Sequence, residues 1–190
     1  MTAGDSVAGS ERLRLFLALR VPDDASAAIA AWQAETFAGA DVRVVPRENL
    51  HVTLAFLGSR PAGVVPRIVE TLRDAAAAAA PIRLAVETYR ETRNVAMLVL
   101  RDEGGAATAL ADDLQIRLEA VSLYRREPWP WLPHLTVARF KERPRPQEEL
   151  SPTIRTCVLV PSDAAAYLSR PGRTGVEYEA LALCDLEARL

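Results

Sequence analysis

The sequence predicts an α+β protein built on antiparallel sheets, and three observations carry that expectation. Strand-like apolar runs and Ala-rich helical runs alternate as strand, helix, strands, helix, strands, helix, strands. Several neighbouring strands are separated by only short polar links, which suits direct antiparallel pairing. Two segments also share the frame His-x-Thr-x-Ala: His51-Val52-Thr53-Leu54-Ala55 and His134-Leu135-Thr136-Val137-Ala138. Each opens with one of the chain's 2 histidines. A strand-helix-strand unit leads into the first frame and a strand-helix unit into the second, a weak internal repeat.

The elements follow from local composition. Leu13 to Arg20 is a mostly apolar run ending before Pro22 and reads as a buried strand. Pro22-Asp23-Asp24 starts a helix whose acidic first turn complements the dipole, and Gly39 lies near its end. Val42 to Val45 is a short strand stopped by Pro46, and the first His frame comes next, with Gly58 as its closing turn residue. Pro61 to Ala80 is a second helix, which Pro66 either divides or marks as the first turn. Ile82–Tyr89 and Val95–Leu100 are strands joined by a polar link, with a turn at Asp102–Gly105. Ala106–Val121 is a third helix with Leu110, Leu114 and Leu118 on one face. Three prolines and two tryptophans make Arg125–Pro133 irregular, and it runs directly into the second His frame. A charged connector, Lys141–Glu149, precedes a strand near Thr156–Val160 and a segment at Ala164–Ser169. A Gly-bearing turn at Pro171–Arg173 and a last strand, Val176–Leu186, complete the chain.

The totals limit function. With 190 residues, residues 11–190 form a single domain able to bury a core without disulfides or metal, after a polar tail over residues 1–10 that reads as disordered. A net charge of −2 argues against a general nucleic-acid coat protein but leaves room for a small anion held by local arginines. Lys141 is the only lysine, and arginine suits bidentate phosphate contacts. Cys157 and Cys184 form no Cys-x-x-Cys pair and read as free thiols in the core of a cytoplasmic protein. A zinc site from both cysteines and both histidines has no local ligand pairs to support it. No apolar run approaches the roughly 20 residues needed to span a bilayer, so no membrane partner is expected.

Alternation in a strand sets the chemistry. Residues i and i+2 share a side, so His51, Thr53 and Ala55 share one face and Val52, Leu54 and Phe56 the other. His134, Thr136 and Ala138 repeat the arrangement. Two imidazoles facing one ligand suit general acid–base work near neutral pH. Threonine hydroxyls can donate to an anionic oxygen, and small alanines would leave a cleft open. A phosphodiester fits these groups best.

Leu50-His51-Val52-Thr53-Leu54-Ala55-Phe56-Leu57-Gly58 and Pro133-His134-Leu135-Thr136-Val137-Ala138-Arg139 resemble the paired motifs of the 2H phosphoesterase superfamily. The nearest branch is that of the RNA 2′,3′-cyclic phosphodiesterases, also called 2′-5′ RNA ligases. Leu15–Leu19, Asn49-Leu50 and Tyr178–Leu181 also resemble it, so the likeness spans nearly the whole chain after the tail. The resemblance implies a bilobal fold, with two antiparallel sheets, outer helices and a central cleft. It implies metal-independent hydrolysis of an RNA 3′ end or small nucleotide bearing a 2′,3′-cyclic phosphate, by a monomer without a cofactor. His51 would be the proton donor, His134 the proton acceptor, and Thr53 and Thr136 the phosphoryl-oxygen donors.

Four features stay open on sequence alone. Arg139 is implied to touch phosphate, yet alternation points it away from His134 unless a bulge or the strand end turns it inward. Phe56 is implied to stack on a base, whereas alternation places it in the core. Trp129 and Trp131 read as a stacking lid or as anchors of a proline-rich loop. Arg125, Arg126, Arg143 and Arg145 could steer RNA or form a solvated surface. Alternative functions are 2′-5′ RNA ligation, hydrolysis of another small cyclic phosphodiester, and a non-catalytic nucleotide- or RNA-end-binding module.

Overall fold

The computed structural model describes residues 11–140, 152–172 and 175–186. The tail 1–10, the connector from Lys141 to Glu149 with Arg143 and Arg145, and Arg173 lie outside the described residues. In chain order the elements are β1 (Arg12–Arg20), α1 (Asp23–Thr36), β2 (Arg43–Val44), β3 (His51–Pro61), α2 (Val65–Ala78), β4 (Leu84–Glu91) and β5 (Val95–Asp102). They continue as α3 (Ala106–Ala120), β6 (His134–Arg139), α4 (Pro152–Arg155), β7 (Val158–Leu159), β8 (Asp163–Pro171) and β9 (Val176–Asp185). The protein is α+β, as its element order predicts.

All pairings are antiparallel, and the strand order is β7-β4-β5-β6-β3-β1-β8-β9, with β2 added beside β6. Among the described residues these strands form one continuous nine-stranded sheet rather than the two sheets expected, because β6 and β3 are themselves paired; its two arms are β7-β4-β5-β6 and β3-β1-β8-β9. They meet at one residue pair, Val52 opposite Leu135, both of them buried. The internal repeat is therefore structural. β1 flanks the first motif strand and β5 flanks the second, so the two His strands abut at the centre.

One side of each strand meets helices. Leu15, Leu17 and Leu19 of β1 enter the core with Ile68 and Leu72 of α2 and with Leu110, Leu114 and Leu118 of α3. Trp32 of α1 packs edge-on against Tyr89 of β4, with ring centroids 6.0 Å apart, and so covers the other arm. The helices thus cross over: α1 follows β1 yet reaches β4 through Trp32 and β6 through Gln33, while α3 follows β5 yet also packs on β3. Cys157 and Cys184 are buried, and burial raises both thiols above their ordinary pKa, consistent with their expected place in the core.

Some boundaries differ from the sequence expectation. β3 does not turn at Gly58 but continues to Pro61, and Gly58 takes φ +68° inside the strand. That left-handed conformation accompanies a bulge, since Gly58 faces Leu15 while Phe56 faces Phe16. Pro66 occupies the first turn of α2, where its missing N–H is not needed. The strand expected near Thr156–Val160 shrinks to Val158–Leu159 behind the short α4. Among the described residues, no helix is long and apolar enough to cross a membrane.

Candidate active site

The two motif strands begin side by side. One residue on either side of the Val52–Leu135 pair, the antiparallel register sets His51 across from Thr136 and Thr53 across from His134. All four are half-buried, whereas Val52, Leu54, Leu135 and Val137 are buried among the apolar residues. Strand alternation therefore gives these four groups the facing that the sequence predicts. Among the described residues, neither threonine hydroxyl has a hydrogen-bond partner, which leaves both as available donors.

Both imidazoles are oriented by the same local device. His51 Nδ1 lies 2.7 Å from the carbonyl oxygen of Asn49, and His134 Nδ1 lies 2.8 Å from that of Leu132. A carbonyl oxygen only accepts, so Nδ1 carries the hydrogen in each ring and Nε2 is the working atom. Asn49 is itself tied down, because its side-chain amide donates to Val176 O at 3.0 Å.

His51 sits in an aromatic nest. Phe16 lies beneath it at 4.8 Å between centroids, and Tyr178 meets it edge-on at 5.3 Å. Phe16 also stacks on Tyr167 at 5.0 Å. Burial lowers the His51 pKa from 6.5 to about 4, opposed by its bond to Asn49 and reinforced by the charges of His134 and Arg139. In the free protein at neutral pH, His51 is neutral with a bare Nε2.

Alternation fails beyond the threonines, and it fails at equivalent places. Leu17 faces Ala55 and Ala18 faces Thr53, so Leu54 is an extra residue in β3. Ala96 faces Ala138 and Met97 faces Thr136, so Val137 is an extra residue in β6. Each bulge lies three residues after its histidine and reverses the facing of the residues beyond it. Ala55 and Ala138 consequently enter the core rather than the cleft, correcting the expectation that they line it. Phe56, placed in the core by alternation, is 55% exposed, and its ring lies 5.6 Å from that of Phe16. Arg139 is turned inward by the bulge that its predicted role required, and its charge reaches His51.

Phe56 and Arg139 are walls of a cleft of about 820 Å³, together with Arg14, Arg43, Asn49 and Tyr178. The four motif side chains are not among its walls. They adjoin it through Asn49 and Tyr178, which touch His51. Among the described residues, Arg14, Arg43 and Arg139 form no ion pair. Sequence reasoning gives Arg14, Arg43 and Tyr178 no place in the site: Tyr178 figures only in a segment resembling the family, and a lone arginine on a strand has no motif to mark it. The tryptophans divide: Trp131 packs on the core and donates to Thr53 O at 2.9 Å, whereas Trp129 is 66% exposed. Arg126 pairs with Asp112 at 2.8 Å on the surface rather than facing the site.

Two abutting strands thus each present a histidine and a threonine to one side of a curled antiparallel sheet. The profile of the 2′-5′ RNA ligase superfamily matches residues 21–161, and the chain belongs to that superfamily. It is 29% identical over 136 residues to an RNA 2′,3′-cyclic phosphodiesterase of Geobacillus stearothermophilus, covering 68% of this chain but 42% of the relative. A protein of the same name from Methanocaldococcus jannaschii is 24% identical over 132 residues, covering 68% of this chain and 72% of the relative. The crystal structure of TT0787 of Thermus thermophilus has a similar fold, with a TM-score of 0.76 and 27% identity. That likeness covers 94% of this chain and 100% of TT0787.

Proposed function

We propose that the protein hydrolyses RNA 2′,3′-cyclic phosphate ends to 2′-phosphomonoesters by paired-histidine acid–base catalysis without a metal. One observation carries the reading: each histidine is tied through Nδ1 to the carbonyl two residues earlier and stands across the strand pair from the other motif's threonine. The names of the two curated relatives support the same reaction.

Water attacks phosphorus as its proton passes to His134 Nε2. The phosphorus–O3′ bond breaks, and His51 Nε2–H gives its proton to the departing oxygen. Thr53 and Thr136 hydroxyls donate to the phosphoryl oxygens, and Arg139 adds a charged donor. Phe56 offers its exposed ring to the base. Because burial leaves His51 neutral in the free protein, its donor role requires a proton taken up with the anionic substrate. The phosphodiester charge offsets the repulsion from His134 and Arg139 that helps to keep that proton off.

The low His51 pKa also favours a second reading, in which His51 is the base and His134 the acid. A substrate with a p-nitrophenyl leaving group separates the two, because p-nitrophenolate departs without a proton. With the RNA substrate and EDTA present, His51→Ala and His134→Ala should each lose about 10²–10⁴-fold in kcat, and the double variant should lose little more. On the p-nitrophenyl phosphodiester, His51→Ala should recover most of its rate while His134→Ala stays inactive. Recovery by His134→Ala instead would reverse the roles. Substrate binding without turnover by the wild type would favour a binding module, and activity abolished by EDTA would sink the metal-free mechanism.

A further inference from the structure

Two buried glutamines stand where the motif strands lose their regular pairing. Gln115, on α3, is 7% exposed, and its side-chain amide donates to Leu54 O at 2.8 Å. Gln33, on α1, is 1% exposed and lies 2.7 Å from Val137 O and 3.1 Å from Val45 O through the same nitrogen. Leu54 and Val137 are the two extra residues of the bulges. The two amides are equivalent in the internal repeat, since each comes from the helix that follows a flanking strand and reaches the opposite arm. A buried polar side chain costs folding free energy unless it is paired, so each glutamine needs its carbonyl; Val137 O accepts from Val45 N–H at 2.9 Å as well as from Gln33.

We propose that Gln33 and Gln115 are positioning residues: each clamps the bulge carbonyl three residues after a motif histidine and thereby turns the fifth residue, Arg139 or Phe56, into the cleft. Without the clamp a strand can relax to regular alternation, which would send that fifth residue toward the core face. Gln33 acts on two strands at once. Through Val45 O, just past β2, it adds a side-chain tie to the main-chain bond from Val45 N–H to Val137 O at 2.9 Å, and β2 carries Arg43, another wall of the cleft. His51, Thr53, His134 and Thr136 precede the bulges and are fixed by the Val52–Leu135 pair and the two Nδ1 bonds. The clamps therefore govern substrate binding more than the proton transfers.

That last division rests on the proposed hydrolase activity, so the decisive readouts are made without substrate. The His51 ring is titrated by NMR in the wild type, Gln33→Met, Arg139→Ala and the double variant. The ring is surrounded by Phe16 of β1, Tyr167 of β8 and Tyr178 of β9, and it feels the charges of His134 and Arg139. Gln33→Met should raise the His51 pKa in the same direction as Arg139→Ala, and the double variant should add nothing. Gln115→Met should leave that pKa unchanged and abolish the ring-to-ring contact of Phe56 with Phe16. In turnover, both Gln→Met variants should raise KM about tenfold and change kcat less than about threefold. They should be non-additive with Arg139→Ala and Phe56→Ala respectively.

A wild-type His51 titration in Gln33→Met, or an intact Phe16–Phe56 contact in Gln115→Met, would overturn the proposal. An inactive wild type that still shows both NMR changes would discard the hydrolase reading and leave the clamps standing. If the methionine variants do not fold, the wild type still decides. The side-chain amide protons of Gln33 and Gln115 should be strongly protected from solvent exchange, and free exchange would end the proposal.

Discussion

At the scale of single residues, His51 links the proposed proton transfer to stability. Its pKa falls from 6.5 to about 4 on folding, mainly because burial disfavours the charged ring. The unfolded chain therefore binds more protons than the folded one between those values, and stability rises with pH across that window. The contribution is full above pH 6.5 and is lost as pH falls toward 4, with a ceiling of about 3 kcal/mol. Urea unfolding from pH 4 to 7 should show this slope in the wild type and a flatter one in His51→Ala; equal slopes would remove His51 as its source. A bound phosphate anion should raise the His51 pKa, so ring titrations with and without inorganic phosphate should separate in that direction.

At the scale of elements, the bulges decide what the motif strands present. The sequence reveals both strands, their registers of histidine and threonine, and the burial of Val52, Leu54, Leu135 and Val137. It does not reveal the bulges, because Leu54 and Val137 are ordinary strand formers with no Gly or Pro to signal an extra residue. Simple alternation consequently assigns Phe56 and the two alanines to the wrong faces. Arg139 is anticipated only because its implied role demands a bulge. The carbonyl clamps are illegible for a related reason, since a glutamine inside an Ala-rich helix looks like solvated surface until its partner strand is in place. Gly58 is the bulge position with a local signature. A side chain there meets no atom within 4 Å but must adopt φ +68°, so Gly58→Ala should cost about 1–2 kcal/mol from backbone strain alone. Denaturant midpoints at unchanged m would measure it.

At the scale of the whole molecule, the order of elements along the chain carries the α+β class and the twofold plan. The single pair joining the arms and the crossing-over of helices between them depend on tertiary packing that no local pattern encodes. The charge distribution belongs to this scale too. A net charge of −2 coexists with three arginines around one cleft that form no ion pair among the described residues, Arg14, Arg43 and Arg139. Engaging three phosphate-directed charges on a single strand predicts a slope of about −2 for log(kcat/KM) against log salt. An oligoribonucleotide ending in a cyclic phosphate would provide the measurement. A slope near zero would exclude electrostatic capture by these arginines, and a much steeper one would demand a wider basic surface.

The bonds from Asn49 O and Leu132 O to the imidazoles have a consequence for how the protein tolerates change. Any amino acid keeps its main-chain oxygen, so no substitution at 49 or 132 deletes the atom that selects the tautomer. A saturation-mutagenesis map should accordingly show deep intolerance at 51 and 134 beside comparatively permissive flanking positions. At 49, losses should trace to the tie with Val176 O rather than to proton placement. A site geometry anchored in this way can survive extensive drift of the surrounding sequence, which suits a fold shared with TT0787 at 27% identity.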